Sequence, residues 1–145
     1  MFTPSQKIDK KEKALLLKAP VLVSVLASVQ ENHISFEGKA GAIKLAHLKT
    51  FTAHPRLIEY YKEVDQNFEK IFDAAVLYYS PFDDDKLKEL KNEIYAIQAI
   101  ILKLDKDLSS ILKTSLEGYV KHVKKASRGL IDNFIFPIHI NGLSA

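Results

Sequence analysis

The chain of 145 residues contains no cysteine. Disulfides and thiolate metal sites are thereby excluded, as is any zinc site assembled from Cys and His. The same absence fits a cytoplasmic location. No glycine-rich phosphate loop, no HExxH pair and no nucleophile beside an identifiable base occurs, so no catalytic residue and no cofactor-binding residue is assigned. The uncharged stretch Ala19 to Val29 spans 11 residues, whereas a bilayer span needs about 20. A signal peptide places a basic start directly before an apolar core, but residues 7–13 are of mixed charge. No low-complexity linker and no repeat of 20 to 50 residues divides the chain, so one domain over residues 1–145 is expected. The charge balance of 21 basic against 18 acidic residues, net +3, does not call for a polyanionic partner, and no nucleic-acid role is expected.

Apolar residues make up 47% of the chain and charged residues 27%, a globular balance at a length that can bury a substantial core. The apolar residues recur at helical spacing. A first helix is predicted from about Ser5 to about Gln30, kinked or divided near Lys18 because Pro20 has no N–H to donate. Leu15–Leu17 and Val21–Val29 cover nearly every side of that cylinder, which requires neighbours all round it. A buried strand over Val21–Ala27 is the local competitor, since Val21, Val23 and Val25 are β-branched.

Ser35 reads as the N-cap of a second helix, Phe36 to about Phe51. A third segment runs from Pro55 to about Tyr79 with a break near Asp65. Ser80-Pro81-Phe82-Asp83 reads as a modified capping box that starts a fourth helix reaching Leu104. Leu108, Ile111, Leu112, Leu116, Tyr119 and Val123 define a fifth, ending near Ser127 with Gly129 as its terminator. Residues 130–145 combine Phe134, Phe136 and Ile138 with Pro137, and form an irregular apolar tail expected to pack on the bundle or to order on a partner. The expected fold is all-α: a single-domain bundle of five to six helices around a buried N-terminal apolar helix.

The acidic turn between the first two helices offers the one metal-like geometry. Glu31 before the turn and Glu37 just inside the next helix are candidate ligands for a hard cation, Ca²⁺ or Mg²⁺, together with backbone carbonyls. The simpler reading gives Glu37 a helix-dipole role and leaves Glu31 solvated. His33, His47, His54, His122 and His139 are scattered, and Ser24, Ser28 and Ser115 on apolar faces read as hydroxyls bonded back to carbonyls. Asp83–Asp85 suit a helix N-terminus, and Lys121, Lys124, Lys125 and Arg128 a C-terminus. Tyr60-Tyr61 and Tyr78-Tyr79 each suggest one inward and one outward ring, the outward ones marking a protein interface if exposed together with Phe82.

The stretch Gln30-Glu31-Asn32-His33-Ile34-Ser35-Phe36-Glu37, preceded by Leu22-Val23-Ser24-Val25-Leu26-Ala27, resembles the acidic turn of the tellurite-resistance TerB-like helical proteins. Leu116-Glu117-Gly118-Tyr119 through Ala126-Ser127-Arg128-Gly129 is similar to that family's closing helix. The likeness covers about Ala14 to Gly129. This chain would be a divergent member, with Glu31 where Asp is usual, Asn32 where Gly is usual, and Glu37 one residue early. The resemblance implies an all-helical intracellular domain linked to stress responses and membrane-associated assemblies, with no established catalysis.

The leading expectation is a non-enzymatic protein acting through protein contacts, with a partner protein or a second copy engaging Phe134, Phe136 and Ile138. Its competitors are a divalent-cation sensor using Glu31 and Glu37, an enzyme or small-ligand site assembled around His33, His47 and Glu37, and peripheral membrane association through the basic helix end and tail.

Overall fold

Proline writes the first division of the bundle. A computed structural model describes residues 2–4 and 7–127, and its N-terminal helical stretch is split into α1 (Lys10–Leu17) and α2 (Ala19–Ala27) at Lys18. Pro20 has no N–H for the Leu16 carbonyl, the acceptor four residues back. The Tyr60 hydroxyl donates to that carbonyl instead, at 2.7 Å. The cap of α1 is Asp9, which accepts from the Glu12 N–H at 2.7 Å while its own N–H donates to the Glu12 carboxylate. The expected cap, Ser5, lies outside the described residues.

All nine residues of α2 are buried, so the predicted central helix is present and the competing strand is not. Ser24 and Ser28 satisfy their hydroxyls on the carbonyls of Pro20 (2.6 Å) and Ser24 (2.7 Å). α2 ends at Ala27 rather than at Gln30. A two-residue hairpin follows, β1 (Val29–Gln30) paired antiparallel with β2 (His33–Ile34), with Val29 opposite Ile34. Its turn residues Glu31 and Asn32 have φ of 47° and 67°, the two positive values of a type I′ turn.

Ser35 then caps α3 (Phe36–Thr52) by accepting from the Gly38 N–H at 3.0 Å. A 3₁₀ turn (Pro55–Leu57), α4 (Ile58–Gln66) and α5 (Phe68–Tyr79) form the third stretch, broken at Asn67, two residues past the expected Asp65. Arg56 ties this turn to the start of α7 (Lys106–Ala126) through Asp105, at 2.7 and 3.0 Å. That pairing, with the Leu108 N–H on the same carboxylate, holds the Asp105 carboxyl down to about 2.

The fourth stretch starts later than its sequence suggests. α6 spans Asp84–Ile101, capped by Asp83 accepting from the Lys86 N–H at 2.9 Å. Ser80 closes α5 instead, its N–H donating to Val76. The reason is Phe82: it is only 2% exposed and has φ of 58°. The chain must turn to drive that ring into the core before a helix can begin. Burying such a ring contributes about 1.5–3 kcal/mol, more than the roughly 1 kcal/mol of a serine cap.

Tyr60 and Tyr61 are both fully buried, which corrects the expectation of one inward and one outward ring. α4 is covered on two sides, so adjacent side chains find different neighbours: Tyr60 reaches Leu16, and Tyr61 meets the Ser115 hydroxyl at 2.6 Å. The rings of Phe2, Tyr60, Tyr61, Tyr119, Phe68 and Phe72 form a continuous chain, successive centroids lying 5.0–6.4 Å apart. The fold is therefore all-α with one small hairpin, wrapped around α2 by α3, α5, α6 and α7.

Candidate functional site

Consecutive tyrosines close α5, and their 100° separation sends them in different directions. Tyr79 is buried, while Tyr78 is 61% exposed. The rings meet edge to face at 4.8 Å. Across from them α6 presents Glu89, Asn92 and Glu93, which share one face at spacings of three and four. Leu22, Ile71, Ala74 and Ala75 supply an apolar floor, and Lys18 closes one end at the break between α1 and α2. The resulting groove has a volume of about 620 Å³, against about 350 Å³ for a groove beside Phe2 and Lys13 and for another beside His54 and Thr114.

The Tyr79 hydroxyl donates to Glu93 Oε1 at 2.5 Å. Burial, and then this carboxylate, push the Tyr79 phenol above its ordinary range. Tyr79 thus keeps its proton at neutral pH and orients Glu93; it is neither a ready acid nor a base. Lys86 Nζ stands 5.0 Å from the centre of the Tyr78 ring and 3.5 Å from Glu89 Oε2. The groove wall thereby already holds one ammonium between an aromatic face and a carboxylate. The groove thus sets an aromatic ring and two carboxylates beside an apolar floor, with Lys86 seated against the ring and Glu89.

The predicted acidic pair lies elsewhere. Glu31 is exposed at the hairpin turn, and Glu37 is exposed in the first turn of α3, 3.4 Å from the Ser35 hydroxyl. Both belong to one junction, but no group of three or more His, Asp or Glu side chains suited to a metal ion exists among the described residues. His33 contacts the Glu31 carbonyl at 3.2 Å, and His47 contacts Asp65 of α4 at 3.2 Å. Asp83 is the cap of α6, with Asp84 and Asp85 in its first turn, and Lys124 and Lys125 occupy the last turn of α7. Phe134, Phe136, Ile138 and Arg128 lie outside the described residues. Of the groove, Tyr78-Tyr79 was visible in the sequence. Glu89 and Glu93 carry only a weak sequence signal, their spacing of four along one helix face.

The hairpin junction is stapled to the rest of the molecule. Asn32 Nδ2 donates to the Phe82 carbonyl at 2.8 Å, joining two turns that both contain positive φ. Gln30 Nε2 donates to the Ser127 carbonyl at the end of α7. The junction therefore fixes the neighbouring helix ends.

No family model matches the chain, and no curated protein or solved structure matches it significantly. Among the described residues no helix is long and apolar enough to cross a membrane.

Proposed function

We propose a non-enzymatic, cytoplasmic protein that acts through protein–protein contacts, its α5–α6 groove taking a basic segment of a partner protein. The observation that carries this reading is the exposed Tyr78 ring set beside Glu89 and Glu93 over an apolar floor. An arginine or lysine side chain placed there takes over the Tyr78 ring and Glu89 from Lys86, a cation–π contact worth about 0.5–1 kcal/mol at an exposed site, and reaches Glu93 beside them. Residues 51–104, which supply all of the groove except Lys18 and Leu22, carry ten acidic against seven basic side chains, a field that attracts a basic segment. We read the resemblance of residues 30–37 and 116–129 to TerB-like stress-response proteins as favouring an intracellular assembly for this contact.

The test is titration of the isotope-labelled full chain with a short Arg/Leu peptide, and with an Asp/Leu peptide of equal length as control. The basic peptide is expected to shift the amide signals of Tyr78, Tyr79, Glu89, Asn92 and Glu93, and E89Q/E93Q to weaken binding at least tenfold. Shifts scattered over the surface, or equal binding of the acidic peptide, would sink the proposal.

A further inference from the structure

The local rules of helix starts do not explain Lys86. Asp83 caps α6 and accepts from the Lys86 N–H, which makes Lys86 the third residue of the helix. A capping box carries Glu or Gln at that position, and positive charge there opposes the helix dipole. Asp83, Asp84 and Asp85 immediately precede Lys86, yet its ion pair is with Glu89, one turn further into the helix. The ammonium is thus directed along the groove wall, where it also meets the Tyr78 ring at 5.0 Å.

Tyr78 and Glu89 both line the groove, so Lys86 holds the ring and the carboxylate that an incoming cation would use. Two like charges at one ring and one carboxylate repel, and entry of the second therefore requires departure of the first. The hold is a light one. The Lys86 and Glu89 side chains keep 32% and 49% of their exposure, and ion pairs between groups so open to water contribute little. Such a contact occupies the position in the free chain without locking it. Glu93, in contrast, is held by the Tyr79 hydroxyl and pairs with no cation among the described residues. The groove therefore has one carboxylate already in use and one open.

We propose that Lys86 is a built-in competitor whose charge sets the affinity of the groove, so that neutralising this one side chain tightens the binding of a basic segment. This role rests on the reading of the groove as a site for such a segment, and adds to it the restraint under which the site works.

The test uses the full chain and the same Arg/Leu peptide, with two readouts. In the free chain the Lys86 ε-methylene signals are expected upfield of those of other lysines, shifted by the Tyr78 ring current; Y78A, and separately the addition of peptide, should return them to the ordinary position. By calorimetry, K86Q is expected to tighten peptide binding roughly four- to tenfold. Gln is itself favoured at the third position of a capped helix, so K86Q keeps the helix start. K88Q removes an equal charge from α6 at an exposed residue outside the groove, and should change the affinity by less than about twofold. Lys86 signals indifferent to both Y78A and peptide would overturn the proposal, as would an equal gain from K88Q, which marks a general charge effect. Equal binding by the native chain and K86Q, with shifts at Tyr78, Glu89 and Glu93, would overturn it and leave the basic-segment reading in place. Absence of binding to both chains would remove that reading and the competitor with it.

Discussion

The Tyr60 hydroxyl repairs a gap that Pro20 opens, donating at 2.7 Å to the Leu16 carbonyl four residues upstream of the proline. The Lys18 N–H, shared between the Leu15 and Leu16 carbonyls, serves the same junction less directly. The contact joins α4 to the break between α1 and α2, and every polar atom of it is buried.

Y60F should accordingly destabilise the protein by about 1 kcal/mol, the net worth of a buried hydrogen bond. In a P20A background, where a helical N–H is restored to Leu16, the same change should cost less. Urea midpoints of the four chains measure the coupling. Equal costs in both backgrounds would show that the hydroxyl does not compensate the proline.

At Gly38 the first turn of α3 meets the residue that caps the end of α7. An added Cβ would lie 2.1 Å from Ser127 Oγ and 2.8 Å from Ser28 Oγ, both on short side chains with little freedom to retreat. G38A should cost about 1–3 kcal/mol despite its better helix propensity. S127A in that background should recover part of the loss. Gly118 of α7 is the contrast, since a Cβ there meets nothing within 4 Å. G118A should raise stability by up to about 1 kcal/mol. A neutral G38A would disprove the close packing.

Tyr60, Tyr61, Tyr79 and Tyr119 all have phenols pushed above the ordinary range, in each case chiefly by burial. The folded chain keeps protons that the unfolded chain releases above about pH 10. Their contribution is complete below that pH and is lost as pH rises toward the folded values. Urea midpoints from pH 9 to 11 should fall, and Y61F should flatten the decline by up to about 1.4 kcal/mol per pH unit, one proton's worth. An unchanged slope would place the Tyr61 phenol in water.

Much of this architecture is local and so could be read residue by residue. Pro20 predicts a break at Lys18, Ser35 predicts a cap, and the unrelieved apolar surface of residues 19–29 predicts a helix enclosed by others. The departures from local expectation depend on distant contacts. Ser80 carries a good cap signal, but the pocket awaiting the Phe82 ring moves the helix start to Asp84. Tyr60 and Tyr61 share the interior because α1 and α7 supply separate partners. The groove was legible only in half, because Glu89 and Glu93 read as an ordinary wet helix face until α5 sets Tyr79 against them. Glu37 lies inside the first turn of α3, as its position after Ser35 predicts, whereas Glu31, expected before the turn, is the turn's first residue.

The enclosure of α2 also has a consequence in time. Its nine buried residues depend on α3, α5, α6 and α7 for cover, and the last residue of α7 follows Ala27 by about 100 residues. At a synthesis rate of about 5–20 residues per second, the interval is roughly 5–20 s. For that period the nascent polypeptide displays an apolar cylinder whose final cover has not been translated. The ribosome-bound chain is thus a natural client for holding chaperones, and a transcript truncated before α7 would yield an aggregation-prone product rather than a smaller bundle.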